Sequence, residues 1–344
     1  INYMAKRVAV IGGGIAGMEE AGLLASRGYE TILIEKEADL GGNVARWDRL
    51  FPTKTPAIDV VNSIKLGLAP QIEVLTNRTV KRMINNDKSM ALLLSDDTLV
   101  KTDAVLIATG FQTFDARRKE EYGYGVYDNV ITSVDLERMF TERKVLCKDG
   151  REPKRIAFIH CVGSRDEKVN NRYCSRVCCI TAVKQAIEMK QLYPTADVYC
   201  FYMDLRMFGR YYEDFYHDAQ AKYGVTFVRG RLSEAGEDHD NNLVLKAEDT
   251  LIGKPLKVTV DMLVLMTGME AQADTTELCA CMNLEQADDR FILPADAYIH
   301  NNCTHQKGVF VAGTCTSPKN IPETLADARS AVAAIEDYLF TYLD

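Results

Sequence analysis

Arg7-Val8-Ala9-Val10-Ile11-Gly12-Gly13-Gly14-Ile15-Ala16-Gly17 decides the fold of this chain. Five mostly apolar residues form a short buried strand, and the glycines that follow permit a tight turn into a helix. Met18 to Arg27 supplies that helix, and Gly28 stops it. Thr31-Ile32-Leu33-Ile34 is a second strand, ending in Glu35-Lys36. This is a complete β-α-β unit within about thirty residues, with Gly12, Gly14 and Gly17 matching G-x-G-x-x-G in its proper context. The glycines let a pyrophosphate approach the helix N-terminus, and Glu35, eighteen residues after Gly17, can accept from a ribose hydroxyl.

The rest of the 344-residue chain repeats the layout. Ile72 to Leu99 reads as a small antiparallel meander with turns such as Asn85-Asn86-Asp87. Ala104 to Ile107 then runs into the small-residue turn Ala108-Thr109-Gly110. A second strand at Arg155–His160 opens another series: a helix from about Cys178 to Leu192, a strand at Asp197–Phe201, a helix through Tyr211 to Tyr223, a strand at Val225–Val228 and a meander at Leu243–Val260. Met262 to Gly268 closes it as Ala104 to Gly110 closed the first. Gly308 to Gly313, and a helix from Pro322 to about Tyr338, return to the first sheet. The expected fold is α/β, with two doubly wound Rossmann-like domains, the second inserted into the first. Residues 4–115 and 290–344 form the first domain, 116–154 a linker region and 155–289 the insertion. Ile1-Asn2-Tyr3, ahead of Met4, reads as an appended remnant.

Composition narrows the function. Forty-one basic against 49 acidic side chains give a net charge of -8, which argues against nucleic acid or an anionic membrane as the main partner. No apolar run approaches the roughly 20 residues of a membrane span, and nothing marks secretion, so the chain is expected to be cytoplasmic. Ten cysteines are many for such a chain. Four of them, Cys161, Cys174, Cys178 and Cys179, fall in one nineteen-residue window, which suggests metal ligation or redox chemistry instead of a disulfide framework.

Gly41-Gly42-Asn43, Ala108-Thr109-Gly110 and Val309-Phe310-Val311-Ala312-Gly313 resemble the two-dinucleotide-domain flavoproteins of the thioredoxin reductase-like group. In that group each stretch lies along FAD. The resemblance implies FAD contacts at Gly12, Gly14, Ile15, Ala16, Gly17, Glu35, Lys36, Gly42, Asn43, Ala108, Thr109, Gly110, Gly313, Thr314 and Ile321. Thr314 departs from the pattern, because many of these flavoproteins carry an aspartate there to bind the ribitol.

The second strand-turn-helix lacks a nucleotide fingerprint. After His160 it reads Cys161-Val162-Gly163-Ser164-Arg165-Asp166, with one glycine instead of three, which removes the close approach that NAD(P)H needs. Four thiolates converging from a turn and a helix start can hold iron or zinc. Their spacing of thirteen, four and one leaves the metal open, although zinc ribbons prefer C-x2-C pairs and this chain has none.

The stretches His160 to Asp166, Tyr173 to Cys179, Lys184-Gln185-Ala186, Phe201 to Arg206, Asn129 to Thr132 and Pro318 to Pro322 resemble the A-type component of heterodisulfide reductase, from about Lys6 to the C-terminus. The resemblance implies a four-iron, four-sulfur cluster on Cys161, Cys174, Cys178 and Cys179, next to FAD, with Lys184 against the flavin N5. It also implies electron transfer between flavin and cluster in a complex with B- and C-type subunits, and a homodimer of this chain. Arg165 and Arg206 are candidate neighbours of cluster or flavin. The ferredoxin-type cysteine runs of larger relatives are absent, as in short forms from sulfur-oxidising complexes. A self-contained NAD(P)H-dependent disulfide reductase and a zinc-bearing scaffold are the alternatives. Cys147, Cys200, Cys279, Cys281, Cys303 and Cys315 are expected to be packing thiols.

Overall fold

The computed structural model describes residues 6–86 and 89–342. The first five residues, Asp87 and Lys88 at the expected meander turn, and the last two residues lie outside them. The chain divides into two compact units, one of Ile1–Arg46, Ala57–Gln112 and Glu270–Asp344, the other of Trp47–Pro56 and Thr113–Met269. This division differs from the boundaries expected above. Trp47–Pro56 joins the second unit, as does the stretch read as a linker, and residues 270–289 join the first. Val130–Thr132 is the reason within the linker, because it pairs in parallel with Met262–Thr267 as the edge strand of the second sheet.

In the first unit five parallel strands lie in the order Val309–Val311, Ala104–Ile107, Arg7–Ile11, Glu30–Ile34, Glu73–Leu75. The central residues of the first four are apolar and buried, as a parallel sheet covered on both faces requires, while Val74 on the edge strand is exposed. The helices Ile15–Ser26 and Ile321–Tyr342 pack against each other. A three-stranded antiparallel meander at Val80–Asn86, Ser89–Leu94 and Leu99–Thr102 turns Met90, Leu92 and Leu94 into the same core as Ile11, Ile34 and Ile107. That alternation is the period-2 signature of a strand with one buried face. Arg7–Ile11 pairs with Glu30–Ile34 on one side and Ala104–Ile107 on the other. Its C-terminal end is therefore a topological switch point, where α/β sheets open a ligand crevice.

The second unit repeats the plan. Its parallel sheet runs Val130–Thr132, Met262–Thr267, Arg155–Val162, Asp197–Tyr202, Thr226–Arg229. A second meander, Leu232–Glu237, Leu243–Asp249 and Lys254–Val260, carries one strand more than the sequence suggested. The helix Ser133–Thr141 starts in a capping box, in which Thr132 accepts from the Asp135 N–H at 3.2 Å and Asp135 accepts from the Thr132 N–H at 2.9 Å. No helix among the described residues is long and apolar enough to cross a membrane.

One core group carries a cost. Glu20, on the first helix, is fully buried, and neither carboxyl oxygen has a hydrogen-bond partner among the described residues. Burial first, then Asp327 and Glu19, hold its carboxyl well above the usual range. An acid whose folded pKa is raised destabilises the fold increasingly as pH climbs above its unfolded value. Glu20→Gln is expected to raise the melting temperature, with a gain larger at pH 8 than at pH 5. Thermal unfolding at the two pH values checks this, and an equal gain at both would contradict it.

Candidate functional site

The glycine turn of the first unit has the shape its motif demands. A Cβ on Gly17 would stand 1.8 Å from the Gly12 carbonyl oxygen, and one on Gly12, where φ is +110°, would stand 2.4 Å from the Ala108 oxygen. Around Gly14, the N-cap of the helix Ile15–Ser26, nothing lies within 4 Å of a Cβ position. The helix end is open to an anion there. Glu35 accepts from the Gly13 N–H at 2.5 Å and the Glu37 N–H at 2.7 Å, which fixes its carboxylate beside the turn.

The other expected cofactor residues converge on this crevice. Gly41 donates to the Gly13 oxygen at 2.8 Å, and a Cβ on Gly42 would meet Gly14 at 3.1 Å. Asn43 donates to the Phe111 oxygen at 2.8 Å. A Cβ on Gly110 would lie 3.8 Å from the Thr314 hydroxyl, and one on Gly313 3.1 Å from Ala16. The Thr109 hydroxyl is buried without a hydrogen-bond partner among the described residues. Lys36 is elsewhere, holding Gln272 and Asp274 at the surface. Sequence reasoning missed Asp327, which accepts from the Gly313 N–H at 2.8 Å and from Asn302 at 2.9 Å while Lys319 donates to the Gly313 oxygen at 2.8 Å. No motif marks Asp327, because it sits nearly two turns into the last helix. Ile321 opens that helix.

In the second unit the corresponding turn is occupied. A Cβ on Gly163 would lie 2.0 Å from the Phe114 ring, which is buried and capped by the Arg118 guanidinium at 4.6 Å from the ring centroid. Phe114 packs directly against this turn.

Cys161 stands at this turn, one residue before the end of the strand Arg155–Val162. The register of Arg155–Val162 against its neighbour shifts between Ile159 and Val162, and Cys161 has φ +60°. The irregularity re-aims its side chain out of the ladder. Cys178 and Cys179 are the first two residues of the helix Cys178–Leu192, so they are not held to opposite sides of a helix interior. The two ligand loops are tied together through buried serines: Ser164 donates to the Tyr173 oxygen at 3.1 Å, the Ser175 N–H donates to Ser164 at 3.0 Å, and Ser175 accepts from the Met269 N–H at 2.9 Å. Asp166 anchors the first loop through Lys119 at 2.7 Å and Arg231 at 2.8 Å.

Burial pushes the Cys161 thiol up, Cys179 up to about 12 and Cys178 well above the ordinary range. Neighbouring cysteines add to the effect, while Arg165 pulls Cys161 and Cys179 back. The thiols thus stay protonated until a bound cation stabilises the thiolates. Among the described residues no three His, Cys, Asp or Glu side chains stand at the spacing of a single metal ion. His160, buried and without hydrogen-bond partners among the described residues, is lowered to about 4 by burial and is neutral.

Lys184, further along the cysteine helix, is 1% exposed, so it is no solvated surface lysine. It donates to the Arg49 oxygen at 2.9 Å and to Glu137, and pairs with Glu188 at 3.3 Å. Glu137 also accepts from Gln185 at 2.7 Å and from the Asp48 N–H at 3.0 Å. Burial raises Glu188 to about 7, against the pull of Lys184. Glu188, Asp48, Arg49 and Lys54 line a cavity of about 320 Å³. Of the remaining cysteines, Cys279 and Cys315 are pushed by burial to about 11 and about 12.

The model of the family described as "Pyridine nucleotide-disulphide oxidoreductase" matches residues 2–136 and 180–332. The chain belongs to that oxidoreductase family. The unmatched stretch, 137–179, contains all four clustered cysteines, so the chain departs from its family where the cysteine site lies. Its curated relatives include an A-type iron-sulfur subunit of CoB–CoM heterodisulfide reductase from Methanopyrus kandleri, 34% identical over 95% of this chain and 63% of the relative. Another is the A-type component of the H2/formate:CoB–CoM heterodisulfide, ferredoxin reductase of Methanococcus maripaludis, 33% identical over 96% of this chain and 64% of the relative. The chain thus spans just under two thirds of these relatives. The thioredoxin reductase of T. acidophilum has the same fold, with a TM-score of 0.68 at 15% identity, covering 97% of this chain and 98% of that one.

Proposed function

We propose that this chain is the FAD and iron–sulfur electron-transfer component of a heterodisulfide reductase-like complex acting in disulfide or sulfur-compound metabolism. The observation that carries the reading is the second turn, which lacks the nucleotide glycines and packs against Phe114, with Cys161, Cys174, Cys178 and Cys179 near enough to influence one another from two serine-tied loops and a helix start. The relatives' names agree with it, one of them being called an iron-sulfur subunit.

The residues present fit both groups. The open helix end at Gly14, the carboxylate of Glu35 and the unpartnered Thr109 hydroxyl suit FAD, with Gly42, Asn43, Ala108, Gly110, Gly313 and Thr314 along it. Asp327 and Lys319 hold the Gly313 backbone in place. Four cysteines are a donor set that suits a cluster in which each thiolate takes its own iron. When bound, flavin and cluster together exchange two-electron for one-electron transfers. Lys184, proposed as the cation that stabilises reduced flavin, would have to exchange Glu137, Glu188 or the Arg49 oxygen for the flavin to do so; B- and C-type subunits and a second copy of this chain are the proposed partners.

The self-contained NAD(P)H reductase differs by a direct test. Mixed anaerobically with NADPH, the isolated protein is expected to keep its flavin oxidised on the timescale in which dithionite bleaches it; rapid, tight NADPH reduction would favour that alternative instead. Reconstitution with neighbouring B- and C-type subunits, assayed with candidate sulfur substrates, tests the full reading; no transfer to any of them would sink it.

A further inference from the structure

We infer that Arg165 is a positioning and tuning residue for the proposed cluster, supplying a directed N–H donor and a fixed positive charge that favour its reduced form. The inference rests on the cluster reading above.

Arg165 lies four residues after Cys161, in the loop that takes the nucleotide turn's place. Its φ of +54° is left-handed, a conformation that a bulky residue adopts only when its surroundings enforce it. Its backbone N–H donates to the Tyr173 oxygen at 2.9 Å, tying it to the loop of Cys174. The guanidinium is divided in use. Nη2 donates to Asp204 at 2.7 Å, while Nη1 is buried with no hydrogen-bond partner among the described residues. A buried, charged donor left unpaired is costly, and native structures rarely keep one without an occupant for it. The guanidinium lies close enough to Cys161, Cys174 and Cys179 to act on all three, and its side chain hydrogen-bonds the Cys161 thiol.

Asp204 makes this aim a specific one. Its carboxylate takes Nη2, and its backbone oxygen accepts from the Cys179 thiol at 3.7 Å. Asp204 therefore orients the guanidinium, and its backbone oxygen lies beside Cys179. The cluster's sulfurs would be the acceptors that Nη1 lacks. Reduction adds one electron and no proton to an anionic cluster, so a nearby donor and positive charge raise its potential.

The test is an EPR-monitored redox titration of the anaerobically purified chain and its Arg165→Gln variant, with iron measured in both. Arg165→Gln is expected to retain its iron while its cluster becomes at least tenfold harder to reduce at a given poise, equivalent to about 59 mV for one electron. Arg165→Lys, which keeps the charge but loses the fork, is expected to fall between the two and covers the case in which the glutamine variant does not fold. Full iron with an unchanged potential in either variant would overturn the inference and leave the cluster reading standing. Wild-type protein without iron would overturn both.

Discussion

Replacing Cys174 by alanine is expected to strip the iron from the protein while leaving it folded. Cys174 is the one member of the four that is not buried, so its truncation removes little packing. The loop around it stays tied through Ser164 and Ser175. Loss of one thiolate from a four-cysteine site leaves one iron without its protein ligand. Iron per chain should drop from about four to well under one, with circular dichroism unchanged and flavin retained. Cys281→Ala is the control, since Cys281 sits on the helix Thr275–Met282 in the first unit and donates to the Leu278 oxygen at 3.2 Å. Equal iron in the two variants would refute the ligand assignment.

Lys184→Met is expected to be the most destabilising single change in the second unit. It leaves Glu137 and Glu188 buried without the cation that pairs them. Removing one partner of a buried pair costs about 3–5 kcal/mol, or roughly 6–20 °C in melting temperature for a unit of this size. The loss should depend on pH. Burial already raises Glu188 to about 7, so its ionisation opposes folding above the ordinary carboxylate range. Without Lys184 that carboxyl rises further, and the variant loses more stability at pH 8 than at pH 5. Adding Glu188→Gln should recover part of the alkaline loss. A pH-independent drop, unaffected by the second change, would contradict this account of the triad.

The parts of this molecule written in adjacent residues were legible in the sequence. The strand, glycine turn and helix of Arg7 to Ser26 are one local pattern, and so is the missing glycine pair after Cys161. What escaped was written at long separation or in too few residues. Glu137 lies forty-seven positions from the lysine it neutralises, and Asp327 fourteen from the glycine it holds. Neither pairing leaves a periodic trace. Val130–Thr132 is too short for alternation to declare it, and only its pairing with Met262–Thr267 shows that the supposed linker builds the second sheet. Phe114 would read as an ordinary core aromatic, and only the structure shows that its ring packs against Gly163 in the second turn.

The most direct measurement is the iron, acid-labile sulfide and flavin content of the anaerobically purified chain, taken with its visible spectrum. The account predicts about one flavin and about four irons with four sulfides per chain, with flavin bands superposed on a broad sulfur-to-iron shoulder. Protein carrying one zinc and no iron, or flavin alone with all four cysteines titrating as free thiols, would contradict it.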